Sequence, residues 1–189
     1  REYWADLLRR IEGKPGWSNR LTVDLYRLRA ATKTLASAAD YSEYAQLALQ
    51  DQQAGEAKRI LDEGFAAGIL GKGAEAERQQ RLLALATQRA ADAPKALAEA
   101  EKEAAADKDG NNLVRIGFAY SALGQHDKGI ALMQQGIAKG GLKRKDDATL
   151  HLGIALYRAG QKQRAAQVLR TVGGTDGTAD LARLWMKVP

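Results

Sequence analysis

Ile116-Gly117-Phe118-Ala119-Tyr120, closed by Gly124, recurs thirty-six residues later as Leu152-Gly153-Ile154-Ala155-Leu156, closed by Gly160. Behind each block runs a second helix-like stretch: Gly129-Ile130 with Met133 and Gly136, then Ala165-Ala166 with Leu169 and Val172. A fixed period of this size marks a stack of supersecondary units, none of which can bury its apolar face alone. Working outward, positions Gly16, Gln52, Gln88, Gly124 and Gly160 fall at steps of thirty-six and set the turns of five helical hairpins. The units span about 2–37, 38–73, 74–109, 110–145 and 146–176, and a partnerless final helix over 178–187 is expected to cap the last apolar face.

Within this register each helix has a local signature. Trp4, Leu7, Leu8 and Ile11 share one stripe before the break at Lys14-Pro15-Gly16, with Ser18 as N-cap for a run carrying Leu21, Leu25 and Leu28. Asp40 and Glu43 resemble a capping box opening the third helix, whose inner stripe is Tyr44, Leu47 and Ala48. Its partner carries Ala57, Ile60, Leu61, Gly64 and Phe65. The third hairpin pairs Leu82, Leu83, Leu85 and Ala86 with a helix opening at Pro94, where a missing N–H costs nothing in a first turn. That second helix has Leu97 as its only large apolar residue, so this unit is expected to bury least.

Composition agrees with an all-α chain. Among 189 residues there are 19 Gly, 3 Pro and no Cys, and the commonest residues lose little on entering a helix. The absence of cysteine excludes disulfides and thiolate chemistry. No apolar stretch is long enough to span a membrane. Twenty-nine Lys and Arg against twenty-three Asp and Glu give +6, and residues 1–37 hold eight bases and four acids. A modest excess of this kind reads as a mixed solvated surface, with some pull on an anionic partner.

The last two units resemble tetratricopeptide repeats. Leu113, Ile116-Gly117, Tyr120, Gly124, Gly129, Met133 and Gly136 fill the motif places in one, and Thr149, Leu152-Gly153, Leu156, Gly160, Ala165, Leu169 and Val172 in the other. Sel-like repeats are similar too, through Gln135-Gly136-Ile137-Ala138-Lys139-Gly140. The chain departs from the tetratricopeptide pattern in its longer period, with extra length in the Lys139–Lys145 connection, and in lacking the terminal Pro. Either resemblance implies a right-handed superhelix of helical hairpins. Four further stretches are similar to the C-terminal half of a group of exported proteobacterial tetratricopeptide proteins of unassigned role. They are Lys14–Ser18, Asp24–Leu28, Glu63–Gly68 and Asp176–Trp185. That resemblance implies a periplasmic or secreted protein, with a cytoplasmic one as the alternative. The start at Arg1 fits either a removed targeting segment or a piece of a longer chain.

The tetratricopeptide resemblance implies the function: a non-catalytic scaffold or adaptor that binds a peptide or protein segment in its concave groove. The first helix of each family hairpin lines that groove, which carries over to Gln46, Leu82, Val114, Phe118, Ser121, Ile154, Tyr157 and Arg158. An apolar segment would lie along Phe118, Ile154 and Tyr157, with Arg158 as polar anchor, unless these residues pack against neighbouring repeats instead. The family's carboxylate clamp needs Lys and Asn where Val114 and Phe118 stand.

Chemistry-bearing motifs are sparse. His126 and His151 are the only histidines, read as ordinary exposed residues because no ligand or nucleophile pattern surrounds them. Gly71-Lys72-Gly73 and Gly173-Gly174-Thr175-Asp176-Gly177 lack phosphate-loop spacing, and the acids of Glu99–Asp109 alternate with bases on a solvated face. No active site, cofactor or metal is expected. RNA reading, one base per repeat, is disfavoured because Phe118 and Ile154 stand at the matching positions and are apolar. The alternative to an adaptor is a structural segment of a larger secreted or envelope assembly. An RNA-binding repeat or an enzyme comes after both.

Overall fold

The computed structural model describes residues 2–189. Among these it contains ten α-helices, a single 3-10 turn and no strand. The chain runs through α1 (Glu2–Glu12), the 3-10 turn (Asn19–Leu21), α2 (Thr22–Ala31), α3 (Ala38–Gln50) and α4 (Ala54–Ala66). It continues through α5 (Ala76–Ala106), α6 (Asn111–Ala122), α7 (His126–Lys139), α8 (Lys145–Arg158), α9 (Lys162–Leu169) and α10 (Thr178–Trp185). None of these helices is long and apolar enough to cross a membrane.

Four of the five turn positions set by the thirty-six-residue period are turns. Gly16, Gln52, Gly124 and Gly160 all have positive φ, between 59° and 86°. Gln52 adopts at 59° a conformation that side chains seldom take, which marks how firmly the α3–α4 junction imposes it. The capping box at α3 is shifted from the expected position. Ser37 is the N-cap and Asp40 its N3 partner, with Asp40 N donating to Ser37 Oγ at 3.2 Å and Ser37 N to Asp40 Oδ2 at 3.0 Å. Ser18 caps the 3-10 turn without a side-chain hydrogen bond.

The third hairpin does not exist. Gln88 and Pro94 both lie inside α5, one helix of 31 residues that crosses about 46 Å at the usual rise. The segment has no glycine and is composed almost entirely of strong helix formers, so a single proline bends or weakens it without ending it. Packing supports both halves. Leu82, Leu83 and Ala86 pack into a core with Tyr44, Ile60 and Leu61 of α3 and α4. Leu97 and Ala104 pack into another with Leu113, Ile116 and Tyr120 of α6.

Helices α6 and α7 cross at their small residues. A Cβ on Gly117 would stand 2.5 Å from the Gly129 carbonyl oxygen, and one on Gly129 would stand 2.4 Å from that of Gly117. No side chain fits such an approach, which explains the glycines in the repeated block.

The open stack expected from the period is corrected by the way the ends meet. Helix α2 buries five consecutive residues, Asp24 to Leu28, so it presents no solvated side and needs partners all round. Helices α1 and α3 supply only part of that cover. Leu8, Ile11, Leu21, Leu25 and Leu28 join Phe118, Ile154, Leu181 and Trp185 in one continuous core, and α10 touches α2 as well as α8 and α9. Polar contacts fasten the same seam. Ser18 N donates to Asp176 O at 2.9 Å, and Lys14 Nζ lies 3.2 Å from Asp180 Oδ2. The Arg20 guanidinium holds both Asp147, at 2.8 and 2.9 Å, and Asp176, at 2.6 Å. Trp17 packs so closely on Gly177 that a Cβ there would meet its ring at 2.5 Å. The Lys14–Ser18 and Asp176–Trp185 stretches are thus the two sides of one closure.

Candidate functional site

At the centre of the molecule the second helix delivers charge into the core. Asp24 and Arg27 lie one turn apart on α2, and the Arg27 side chain is wholly buried. Its Nη1 donates to Asp24 Oδ1 at 2.8 Å and its Nη2 to Asp51 Oδ2 at 2.6 Å. Its Nε and Nη2 both donate to Glu56 of α4, at 2.9 and 3.0 Å. Glu56 is itself fully buried, accepts from Arg158 Nη2 of α8 at 3.1 Å, and forms a very short hydrogen bond with Tyr44 OH. His151, also on α8, places Nε2 2.8 Å from Asp24 Oδ1 and stacks on Phe118 of α6 at 4.8 Å. The Arg27 guanidinium lies over the same ring at 4.8 Å.

Arg27, Arg158 and the His151 imidazole therefore face three carboxylates, Asp24, Asp51 and Glu56. Burial alone would push the Glu56 carboxyl up, but Arg27 and Arg158 outweigh that and hold it well below the usual carboxylate range. Asp24 feels the same opposition, with His151 and Arg27 prevailing over burial, and is held down to about 2. Burial would lower His151, yet Asp24 beside it leaves its pKa above the ordinary value. Burial, then the Glu56 charge, pushes the Tyr44 hydroxyl up. Partners this well matched offset the cost of burying charge, and the loss of any one member would leave another uncompensated.

The cluster stands between two cavities. The first, of about 510 Å³, opens between α2, α4, α6, α8 and α10, with the start of α7; Arg27, Glu56, Ser121, Tyr157, Arg158 and Trp185 contribute to its wall. The second, of about 460 Å³, is lined by Asp51, Gln53, Val114, Phe118, Leu142 and His151 among others. Their volumes lie in the range of small-ligand and peptide pockets.

The eight residues carried over as groove-lining do not share one surface. Gln46 and Leu82 line a separate cleft of about 490 Å³ between α3 and α5. Ser121, Tyr157 and Arg158 line the first central cavity, and Val114 and Phe118 the second. Ile154 has no exposed surface and is corrected to a core residue, while Phe118 is 2% exposed beneath Arg27 and His151. The groove is filled by the chain's own α2 and α4. Arg158 keeps 17% of its side chain accessible while bound to Glu56, and Tyr157 OH donates to the Pro189 carbonyl at 2.7 Å.

The two histidines are also placed differently from the expectation of exposure. His151 belongs to the cluster. Half-buried His126 opens α7 and has Nδ1 3.0 Å from the oxygen of buried Ser121. Among the described residues no carboxylate holds its other ring nitrogen, so the chain of groups that activates a serine is not assembled. No group of three metal-ligating side chains gathers among the described residues.

The cluster had a signal in the sequence. Asp24 and Arg27 are spaced for one helix face that leucines surround, and Glu56 lies one turn before Ile60 on the buried stripe of α4. Which charges meet required the tertiary structure. Comparison of the chain with family models, with curated proteins and with solved structures gives no match.

Proposed function

We propose that this chain is a non-catalytic helical-repeat module of the tetratricopeptide kind, a short right-handed superhelix whose ends close, and that it binds a peptide or protein segment of a partner. The observation that carries this reading is the first central cavity. Six helices contribute to its wall, and it offers the Tyr157 ring, backed edge-on at 5.3 Å by buried Trp185, beside the accessible part of Arg158. Aromatic and arginine side chains in a recess are the usual anchors of protein recognition. An apolar side chain resting on Tyr157, with a carbonyl or carboxylate on Arg158, uses these groups as they stand. The resemblance to exported proteins supports a periplasmic or secreted setting.

Peptides selected by display against the folded chain should lose about tenfold or more in affinity, roughly 1.4 kcal/mol or more, on Tyr157→Ala or Arg158→Ala. Circular dichroism checks that each variant is folded, since Arg158 also supports Glu56. Unchanged affinity for both variants would place the binding surface elsewhere.

A further inference from the structure

The extra length of the repeat lies in the connection between α7 and α8, and this connection walls the second central cavity with Leu142, Lys143 and Arg144. It is held in place by backbone. Gly110 N donates to Gly140 O at 2.8 Å, and Lys143 N donates to Asn111 Oδ1 at 3.1 Å. Opposite it, Arg115 projects from α6 and donates to Gln52 at 2.7 Å. Among the described residues Arg115, Lys143 and Arg144 form no ion pair. The carboxylates nearby are otherwise engaged: Asp51 by Arg27, Asp147 by Arg20, Asp146 by Gly173 N and Asp109 by Asn111. Below this cationic rim the lining is apolar, with Val114, Leu142 and Ala148. Gln53, 2% exposed, also lines the cavity, and its buried Oε1 has no hydrogen-bond partner.

We propose that this second cavity receives an acidic peptide segment of a partner protein, its carboxylates meeting Arg115, Lys143 and Arg144 while one apolar side chain rests on Val114, Leu142 and Ala148. Each part of the site asks for something such a segment supplies. The unpaired cations ask for negative charge and the apolar lining for a hydrocarbon side chain. A nucleic-acid strand fits less well, because its bases need open ring faces to stack on and the Phe118 ring is already covered by His151 and Arg27. The inference rests on reading the chain as a peptide-binding module, but uses a different cavity from the one bounded by Tyr157 and Arg158.

The probe is a fluorescein-labelled, acetylated Glu-Asp-Leu-Asp-Glu amide, titrated against the whole chain by anisotropy at low ionic strength. The Gln-Asn-Leu-Asn-Gln counterpart and a short oligouridylate are run beside it. Saturable binding of the acidic peptide is expected, with the neutral peptide about tenfold weaker or worse. The double variant Lys143→Glu/Arg144→Glu should weaken the acidic peptide at least about tenfold. Reversal of two other exposed lysines, Lys95→Glu/Lys108→Glu, matches the change in net charge and should have little effect. Tyr157→Ala should leave this titration unchanged, which separates failure of this site from failure of the first. The proposal is overturned if the acidic peptide does not bind, if both charge reversals weaken it equally, or if the neutral peptide binds as well. It is also overturned if only the oligouridylate depends on Lys143 and Arg144.

Discussion

Replacing Glu56 by glutamine will lower the unfolding free energy by about 3–5 kcal/mol, the usual cost of breaking a buried ion pair by removing one partner. The side chain keeps its size, so the effect reports charge rather than volume. Arg27 would lose the carboxylate it holds through two nitrogens, and Arg158 would lose the partner that draws it inward. For a chain of this length a loss of that size moves the thermal midpoint by on the order of 10 °C. Denaturant unfolding of the two proteins measures the difference. A loss below about 1 kcal/mol would mean that water reaches Glu56 and that the cluster behaves as an exposed ion pair.

The second large effect has the opposite sign. Pro94→Ala will stabilise the chain by about 2 kcal/mol. Proline inside a helix is about 3 kcal/mol less favourable than alanine, and the substitution returns a part of that gain by freeing the unfolded chain. Pro94 is exposed on α5, so no packing is lost, and the new N–H can reach the carbonyl of Ala90. Thermal unfolding with matched circular dichroism checks it. No gain, or a loss, would show that a bend at Pro94 is what lets the two halves of α5 reach separate cores.

These two residues also show where the sequence was legible. Period and glycine placement located the turns at Gly16, Gln52, Gly124 and Gly160, because a turn is a local event decided by the residues in it. Pro94 misled for the same reason. Taken locally it opens a helix, whereas the contacts that carry α5 past it, through Leu83 and Leu97 into two cores, lie far along the chain. The candidate site was legible in part. Tyr157 and Arg158 line a cavity, but Phe118 and Ile154 were expected in an open groove and are buried, Phe118 under Arg27 and His151. Nothing in the repeat pattern says that Arg27 meets Glu56, or that Asp24 meets His151 across 127 positions. Pairings of that kind are properties of closure. Periodicity describes the unit, and closure depends on how much apolar surface the first unit leaves for the last to cover.

That closure is the central claim, because the first cavity lies where α2 and α10 are brought together, with Arg27 and Trp185 in its wall. The chain has no cysteine, so Lys14→Cys and Arg183→Cys give two unique sites for spin labels, one beside each side of the seam. Pulsed electron–electron resonance on the doubly labelled chain reads the distance directly. With α1–α2 seated on α10, the labels will lie close together, in a narrow distribution. An open stack of five hairpins would separate them by four repeats, about 40 Å at the usual helix spacing, and a distribution centred there would contradict the account.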